Sequence, residues 1–537
     1  MRKRAQLKDR YKEYEPKHIT EKPTKTYEEK PKISTKNLWI AIALIGIFFL
    51  VLFYNTYFNV VSDITIDEGA TGLDKYLLSG PDPYYNMRIV KETYETGKYQ
   101  FYSENDPLLN YPIGRTGTRA PLLNMGALAF SRLLTPFMSE VDAIGYSMQF
   151  IPALFGALLI FPVYFIGKTL FNKKAGLIAA FLMAVIPINI GSGHGSAYTL
   201  FDHDSLNLLL FFLTFLFLIL SLKEKDTIKS VLYACLAGVS LAGLNMVWTE
   251  ARYLFVIIAA YAIVQMFFDI FTNKINIKVF ITTFVLLFSG YLISFPVIFV
   301  RGIRGFTPDL NLFLCVAVLA FGIIYYISDR KKIPWTLSLP AIVLVGAIGL
   351  IVLYLIRNLS SDQFLSPLRS LSNIVFGAGV YGNKVSMTIA EANTYQISHT
   401  VMSFGPALYW IGWGGFVFLL WYYYKDKLRK DYLLIIFIFI VDLWLAGTAG
   451  RFLNDLVPLI AILSGWIIWF IVSKIDYKQM LRNIRSAGGG IHGIRRGVKI
   501  LHIFGILFLA LIVIMPNAMV AFDAALPNTN KQKDDGS

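Results

Sequence analysis

A few short polar segments interrupt an otherwise apolar chain, and they carry the side chains that could do chemistry. GPDPYYNMR (80–88) sets Asp82 ahead of a proline and two tyrosines. Taken locally, such an aspartate is a turn residue or a helix cap. In FDHDS (201–205), Asp202 and Asp204 flank His203. Two carboxylates one residue apart repel unless solvent, a cation or a helix N-terminus holds them. The segment is therefore either an N-cap with solvated neighbours or an oxygen site for a hard divalent metal, as diphosphate chemistry usually needs. His203 is then a ligand or a surface imidazole between two acids. SMTIAEAN (386–393) adds Glu391, a weak signal alone, and AGTAGRFLNDLVP carries Arg451. That arginine either snorkels or pairs with Asp455, or offers a fixed planar cation to an anionic lipid headgroup, because guanidinium matches phosphate geometry. YPIGRTGTRAP (111–121) lacks the strand and helix context of a phosphate-binding loop and reads as a shaped loop. Trp248, Thr249 and Glu250 read as a turn with an interfacial aromatic.

The elements that must position these residues are membrane helices. The 537 residues are 55% hydrophobic, 15% aromatic and 16% charged. That is too much apolar surface for a soluble core, since soluble domains stop growing near ~250–300 residues and carry about 25% charge. The apolar residues fall in blocks of about 17–25, the length that crosses a ~30 Å hydrocarbon layer. A barrel would alternate with period two, so the expectation is an all-α polytopic bundle. Cys235 and Cys315 both lie in apolar runs, which excludes a disulfide framework and a thiolate metal site.

Spans are expected to begin near Asn37, Ile144, Ala175, Ser205, Val231, Arg252, Val279, Leu310, Trp335, Gly405, Leu433, Phe452 and Ile500, about thirteen in all. Residues 1–36 alternate charges without an apolar face and read as a disordered, basic cytoplasmic tail. With the N-terminus inside, the tail and the inside loops hold roughly 34 of the 50 Lys and Arg. The net charge of +15 therefore reflects orientation in a membrane, and nucleic acid is not an expected partner. Two external loops are long, about 61–142 and 357–402, and the C-terminal tail, 521–537, falls outside. Long loops in a compact bundle are usually functional.

Taken together, DPYYN in the first external loop, DHD at the start of the fourth span, TIAE after the ninth and GRF at the start of the twelfth resemble the catalytic subunit of oligosaccharyltransferase. The likeness is to the archaeal and bacterial single-subunit enzymes, in order and spacing over nearly the whole chain. It implies a C-type glycosyltransferase fold, with residues 37–520 as the transmembrane catalytic domain. It implies a glycosyltransferase that moves a glycan from a dolichol-type carrier to Asn of Asn-x-Ser/Thr sequons on the external face of the cell membrane. By the same resemblance, Asp82, Asp202, Asp204 and Glu391 hold a divalent metal, Mn2+ or Mg2+. Asp82 and Glu391 also bond the acceptor amide, and Arg451 contacts the carrier phosphate. Lipid-linked oligosaccharide, acceptor polypeptide and membrane lipid are the implied partners. The chain departs from the family in two places. Where the family has an arginine just before its acidic pair, GHGSAYTLFDHD offers only His194. The family's WWDYG motif, which binds the sequon Ser or Thr from a soluble domain, does not occur in these residues. The chain is expected to be the membrane half, weak or inactive without a soluble C-terminal half supplied separately. The competing readings are a transporter or flippase with an external cation site, and a non-catalytic half-subunit.

Overall fold

The computed structural model describes residues 35–61, 65–99, 105–109, 111–116, 119–186, 197–302, 310–358, 397–426 and 428–524. The chain divides into a unit of residues 1–42, described only from Thr35 onward, and a unit of residues 43–537. The helices are α1 (Thr35–Val61), α2 (Pro81–Thr96), α3 (Leu122–Leu134), α4 (Glu140–Leu158), α5 (Ile160–Leu170), α6 (Lys173–Met183) and α7 (Asp204–Lys223). There follow α8 (Thr227–Val247), α9 (Tyr253–Phe271), α10 (Ile277–Gly302), α11 (Leu310–Arg330), α12 (Trp335–Asn358), α13 (Ile397–Phe404) and α14 (Pro406–Lys425). The last are α15 (Lys430–Thr448), α16 (Leu453–Lys474), α17 (Tyr477–Ser486), α18 (Gly490–Gly497), α19 (Ile500–Leu507) and α20 (Met515–Ala524).

Among the described residues, ten helical stretches are long and apolar enough to cross a membrane, against the expected thirteen or so. Each expected start does fall in or beside a helix. Three helices fall short as spans. α6 runs for only eleven residues, Lys173–Met183, α12 qualifies only over Trp335–Gly349 because the residues described in full stop there, and α14 dilutes its aliphatic run with glycine, tryptophan and tyrosine. The chain is a multi-pass, all-helical membrane protein.

Polar residues between spans start the next helix. Ser139, Asn172 and Asp226 each accept backbone N–H groups at the mouths of α4, α6 and α8, satisfying donors that have no partner within the helix. Leu159 separates α4 from α5 three residues before Pro162, which has no N–H to offer the Leu158 carbonyl. Small residues let spans close on one another, the usual device where lipid gives no hydrophobic drive between helices. A Cβ on Gly238 of α8 would lie 1.9 Å from Ser289 Oγ of α10, and one on Gly465 of α16 would lie 2.8 Å from the Ala179 nitrogen of α6.

The first long loop is itself folded. It holds α2, α3, a 3-10 turn (Gly72–Lys75) and a two-stranded antiparallel ribbon pairing β1 (Asn105–Asp106) with β2 (Arg115–Thr116). Tyr76, Met87 and Leu123 from this loop pack with Ile144 and Met148 of α4 and with Phe201 just before α7. This core lies beneath the candidate site. Gln149, fully buried on α4, ties it together: its amide donates to the Thr65 carbonyl at 2.6 Å and the Leu77 carbonyl at 2.9 Å, and its oxygen accepts from the Tyr198 hydroxyl at 3.1 Å.

Candidate functional site

Four segments far apart in sequence meet at one end of the spans. Asp82 stands in the first turn of α2, where a helix N-terminus favours a carboxylate. Asp202 and His203 precede α7, and Asp204 is its first residue. Arg451 lies in a 3-10 turn, Gly450–Phe452, between α15 and α16. The loop before α7 is pinned to its neighbours. Asn86 of α2 donates to the Phe201 carbonyl at 3.0 Å, and the Ser79 and Thr199 hydroxyls lie 2.7 Å apart. The Thr199 N–H reaches the Gln149 carbonyl at 2.9 Å.

At the centre is His203, 8% exposed, so it is no surface imidazole. Its Nδ1 lies 2.5 Å from Asp202 Oδ1, and its Nε2 lies 3.5 Å from Asp204 Oδ1 and 3.4 Å from the Arg451 guanidinium. Burial opposes charge on the imidazole, but the two carboxylates outweigh it and raise its pKa above the ordinary value. Burial likewise works against the Asp202 carboxylate. The His203 charge, its hydrogen bonds and the Arg119 guanidinium overcome that and hold the carboxyl below its usual range.

Arg451 reaches Asp204 Oδ1 at 3.4 Å, and its guanidinium lies 4.3 Å from the centre of the Trp248 ring. Asp455 accepts the Tyr253 hydroxyl at 2.9 Å. Trp248 also stands beside His203, with ring centres 5.5 Å apart. It backs the site, a role its reading as an interfacial aromatic did not anticipate.

The residue missed from sequence is Arg119. One of its nitrogens lies 2.5 Å from Asp82 and the other 3.6 Å from Asp202, so one guanidinium joins the two acids. It comes from the glycine- and arginine-rich segment read as a shaped loop, which the β1–β2 ribbon folds back on α2. The available signal was that segment's arginines, together with the lack of an arginine in GHGSAYTLFDHD. Asp82, Asp202, His203, Asp204 and Arg451 thus form one connected network with Arg119. The side chain of Asp82 remains 57% exposed. Glu391 and His194 lie outside the described residues. Among the described residues, no three acidic, histidine or cysteine side chains form a ready cage for a metal ion.

Residues 73–522 match the family profile "Oligosaccharyl transferase STT3, N-terminal". The chain is 24% identical over 442 residues to dolichyl-phosphooligosaccharide-protein glycotransferase 1 of Pyrococcus furiosus, covering 77% of this chain and 42% of that protein. Glycotransferase 3 of Archaeoglobus fulgidus is 33% identical over 111 residues, 20% of this chain and 12% of that one. Among solved structures, the A. fulgidus oligosaccharyltransferase AglB in complex with an inhibitory peptide and a dolichol-phosphate aligns with a TM-score of 0.73 at 20% identity. That alignment covers 92% of this chain and 57% of AglB, so the chain spans little more than half the length of that enzyme. The A. fulgidus enzyme in complex with Zn and sulfate aligns with a TM-score of 0.62 at 17% identity. A profile match over most of its residues, on an all-helical membrane bundle of the C-type glycosyltransferase fold, shows that this chain belongs to the STT3 oligosaccharyltransferase family.

Proposed function

We propose that this chain is the membrane half of an oligosaccharyltransferase that moves a glycan from a dolichol-type lipid carrier to the asparagine of Asn-x-Ser/Thr sequons. The observation that carries the reading is the network itself: Asp82, Asp202, Asp204 and Arg451 meet at a span end, in a chain of this family. Relatives solved with a dolichol-phosphate and inhibitory peptide, and with a tethered peptide containing the NVT sequon, support the same donor and acceptor here. Positive-inside asymmetry supports a cytoplasmic N-terminus, residues 37–520 as the catalytic membrane domain, and a site on the external face of the cell membrane.

The residues fit a divalent metal by the chemistry of their donors. Asp82 and Asp202 already share one cation, the Arg119 guanidinium, and a hard ion prefers the same oxygens. Asp82, Asp202, Asp204 and Glu391 would hold Mn2+ or Mg2+, which when bound supplies stabilisation of charge on the leaving phosphate oxygen. The chain's own residues do the rest. Arg451, braced by Trp248 and Asp204, presents a planar cation to the carrier phosphate without reorganising. An amide nitrogen is a poor nucleophile because its lone pair is delocalised into the carbonyl. Asp82 and Glu391 accept its N–H groups, and twisting the C–N bond against them localises the pair.

The test is transfer of labelled glycan from a dolichol-linked donor to peptides with Thr or Ala at the third sequon position, with a soluble C-terminal half supplied. Transfer that prefers Thr and is lost in both Asp82→Asn and Arg451→Ala supports the reading. Unchanged transfer in both variants would sink it.

A further inference from the structure

After α16 the chain does not enter its next span at once. Residues 475–499 form a helical hairpin, α17 and α18, before α19 begins the next apolar stretch. Gly488, Gly489 and Gly490 all take positive φ, of 84°, 69° and 62°, and reverse the chain. Gly493 and Gly497 then lie against Ile484: a Cβ on Gly493 would meet the Ile484 carbonyl at 2.7 Å, and one on Gly497 the Ile484 nitrogen at 2.8 Å. The two helices are thus a close-fitted pair, defined by glycines at i and i+4.

Both helices separate their side chains sharply. In α17, Tyr477, Met480, Leu481 and Ile484 recur at helical spacing on one face, with Lys478, Arg482 and Arg485 off it. In α18, Ile491 and Ile494 share a face, and Arg495 and Arg496 lie off it. Leu481, Ile491 and Ile494 are 50%, 85% and 52% exposed, so an apolar edge stays uncovered beside exposed cations. No acidic residue occurs from Tyr477 to Phe522. The hairpin is tethered at both ends. Tyr477 and Ile475 crowd Gly505 of α19, the Lys499 N–H donates to His502, and α16 runs straight into the hairpin.

We propose that this hairpin is an interfacial anchor that lies in the headgroup layer and binds anionic phospholipid. Its apolar edge enters the acyl boundary, and its arginines and lysines meet the lipid phosphates. A bilayer, to which α16 and α19 already hold the hairpin, supplies apolar and anionic surface together. Charge complementarity argues for anionic over zwitterionic lipid, because seven residues from Lys474 to Lys499 are Lys or Arg with only Asp476 opposing them. The 22 residues of α16, at about 1.5 Å each, put the hairpin at the far end of the helix from Arg451. The anchor is thus separate from the network that the proposed function uses.

The experiment uses the full chain in nanodiscs of phosphatidylcholine, with or without phosphatidylglycerol. A cysteine at Ile494, with Cys235 and Cys315 replaced by alanine, carries an environment-sensitive fluorophore. We expect a blue shift and quenching by shallow spin-labelled lipid. We also expect about tenfold enrichment of phosphatidylglycerol over phosphatidylcholine in the lipid retained by the protein. Lys478→Gln, Arg482→Gln, Arg485→Gln, Arg495→Gln and Arg496→Gln together should bring that ratio near one, with helicity and melting in pure phosphatidylcholine unchanged. Retained selectivity in this variant would overturn the proposal. So would a probe that lipid never quenches, or one shielded only in a dimer, which would give the surface to a second copy. If the five-fold variant fails to fold, Leu481→Ser with Ile491→Ser decides, since it must lose quenching while keeping every cation.

Discussion

The Arg451 guanidinium faces an indole on one side and a carboxylate on the other, so its position is set before any donor arrives. Arg451→Lys keeps the charge but loses the planar fork and the stacking, and donor-lipid affinity should fall by roughly tenfold. Arg451→Ala should lower it by about a hundredfold. Binding of a dolichyl phosphate to the purified chain measures both, and equal affinity across the three proteins would return Arg451 to a purely interfacial role. Arg119 makes the opposite kind of prediction. Its cation competes for the oxygens of Asp82 and Asp202, so Arg119→Gln should tighten Mn2+ binding several-fold, by removing a like charge from the site. Titration followed by the paramagnetic signal of free Mn2+ is the measurement. Weaker binding in the variant would mean that Arg119 builds the site and does not compete for it.

At the scale of elements, the site depends on how the first loop is pinned to α4. Gln149 satisfies two loop carbonyls and a tyrosine hydroxyl from a position with no access to water. Gln149→Met keeps the volume but takes the partner from the Leu77 carbonyl and the Tyr198 hydroxyl and leaves the Thr65 carbonyl only the Leu77 N–H, a loss of about 2–4 kcal/mol. The variant should melt several degrees lower in detergent, with helicity preserved before melting. A melting point equal to wild type would show that water or a neighbour takes over these bonds. Gly238 tests a different joint. A side chain there meets α10 at Ser289 Oγ and, less yieldingly, at the Leu286 carbonyl 2.8 Å away. Gly238→Val should therefore cost about 1–3 kcal/mol by forcing α8 and α10 apart. The change should appear as lost thermal stability with the Arg451 network intact.

Across the whole molecule, charge distribution makes a statement about sidedness that can be checked without any activity. In a background with Cys235 and Cys315 replaced by alanine, Ile113→Cys sits in the first loop at a position 80% exposed. It should react with an impermeant thiol reagent on intact cells. Lys332→Cys, on the loop between α11 and α12 where the side chain is 81% exposed, should react only after permeabilisation. The reverse pattern would invert the orientation and put the acidic network on the cytoplasmic side.

Much of this protein was legible from the order of its residues. Blocks of about 20 apolar residues between charged loops dictate membrane helices, because bilayer thickness sets their length and unpaired backbone cannot remain in lipid. Asp202, Asp204 and Arg451 stood out as ionisable groups at span ends, where burying them without a role is costly, and Asp82 joined them only through the family resemblance. Only the tertiary structure decided what they touch. Arg119 is 37 residues from Asp82 and 83 from Asp202 in a loop with no helical or strand period, so no local pattern tied it to either acid. The ribbon and the core around Tyr76 and Phe201 bring it there. Likewise, His203 between two acids reads locally as a ligand or a surface imidazole. Its burial follows from Trp248 and Arg451 arriving from other spans, and contacts between distant segments are set by helix packing, which residue spacing along one segment does not encode.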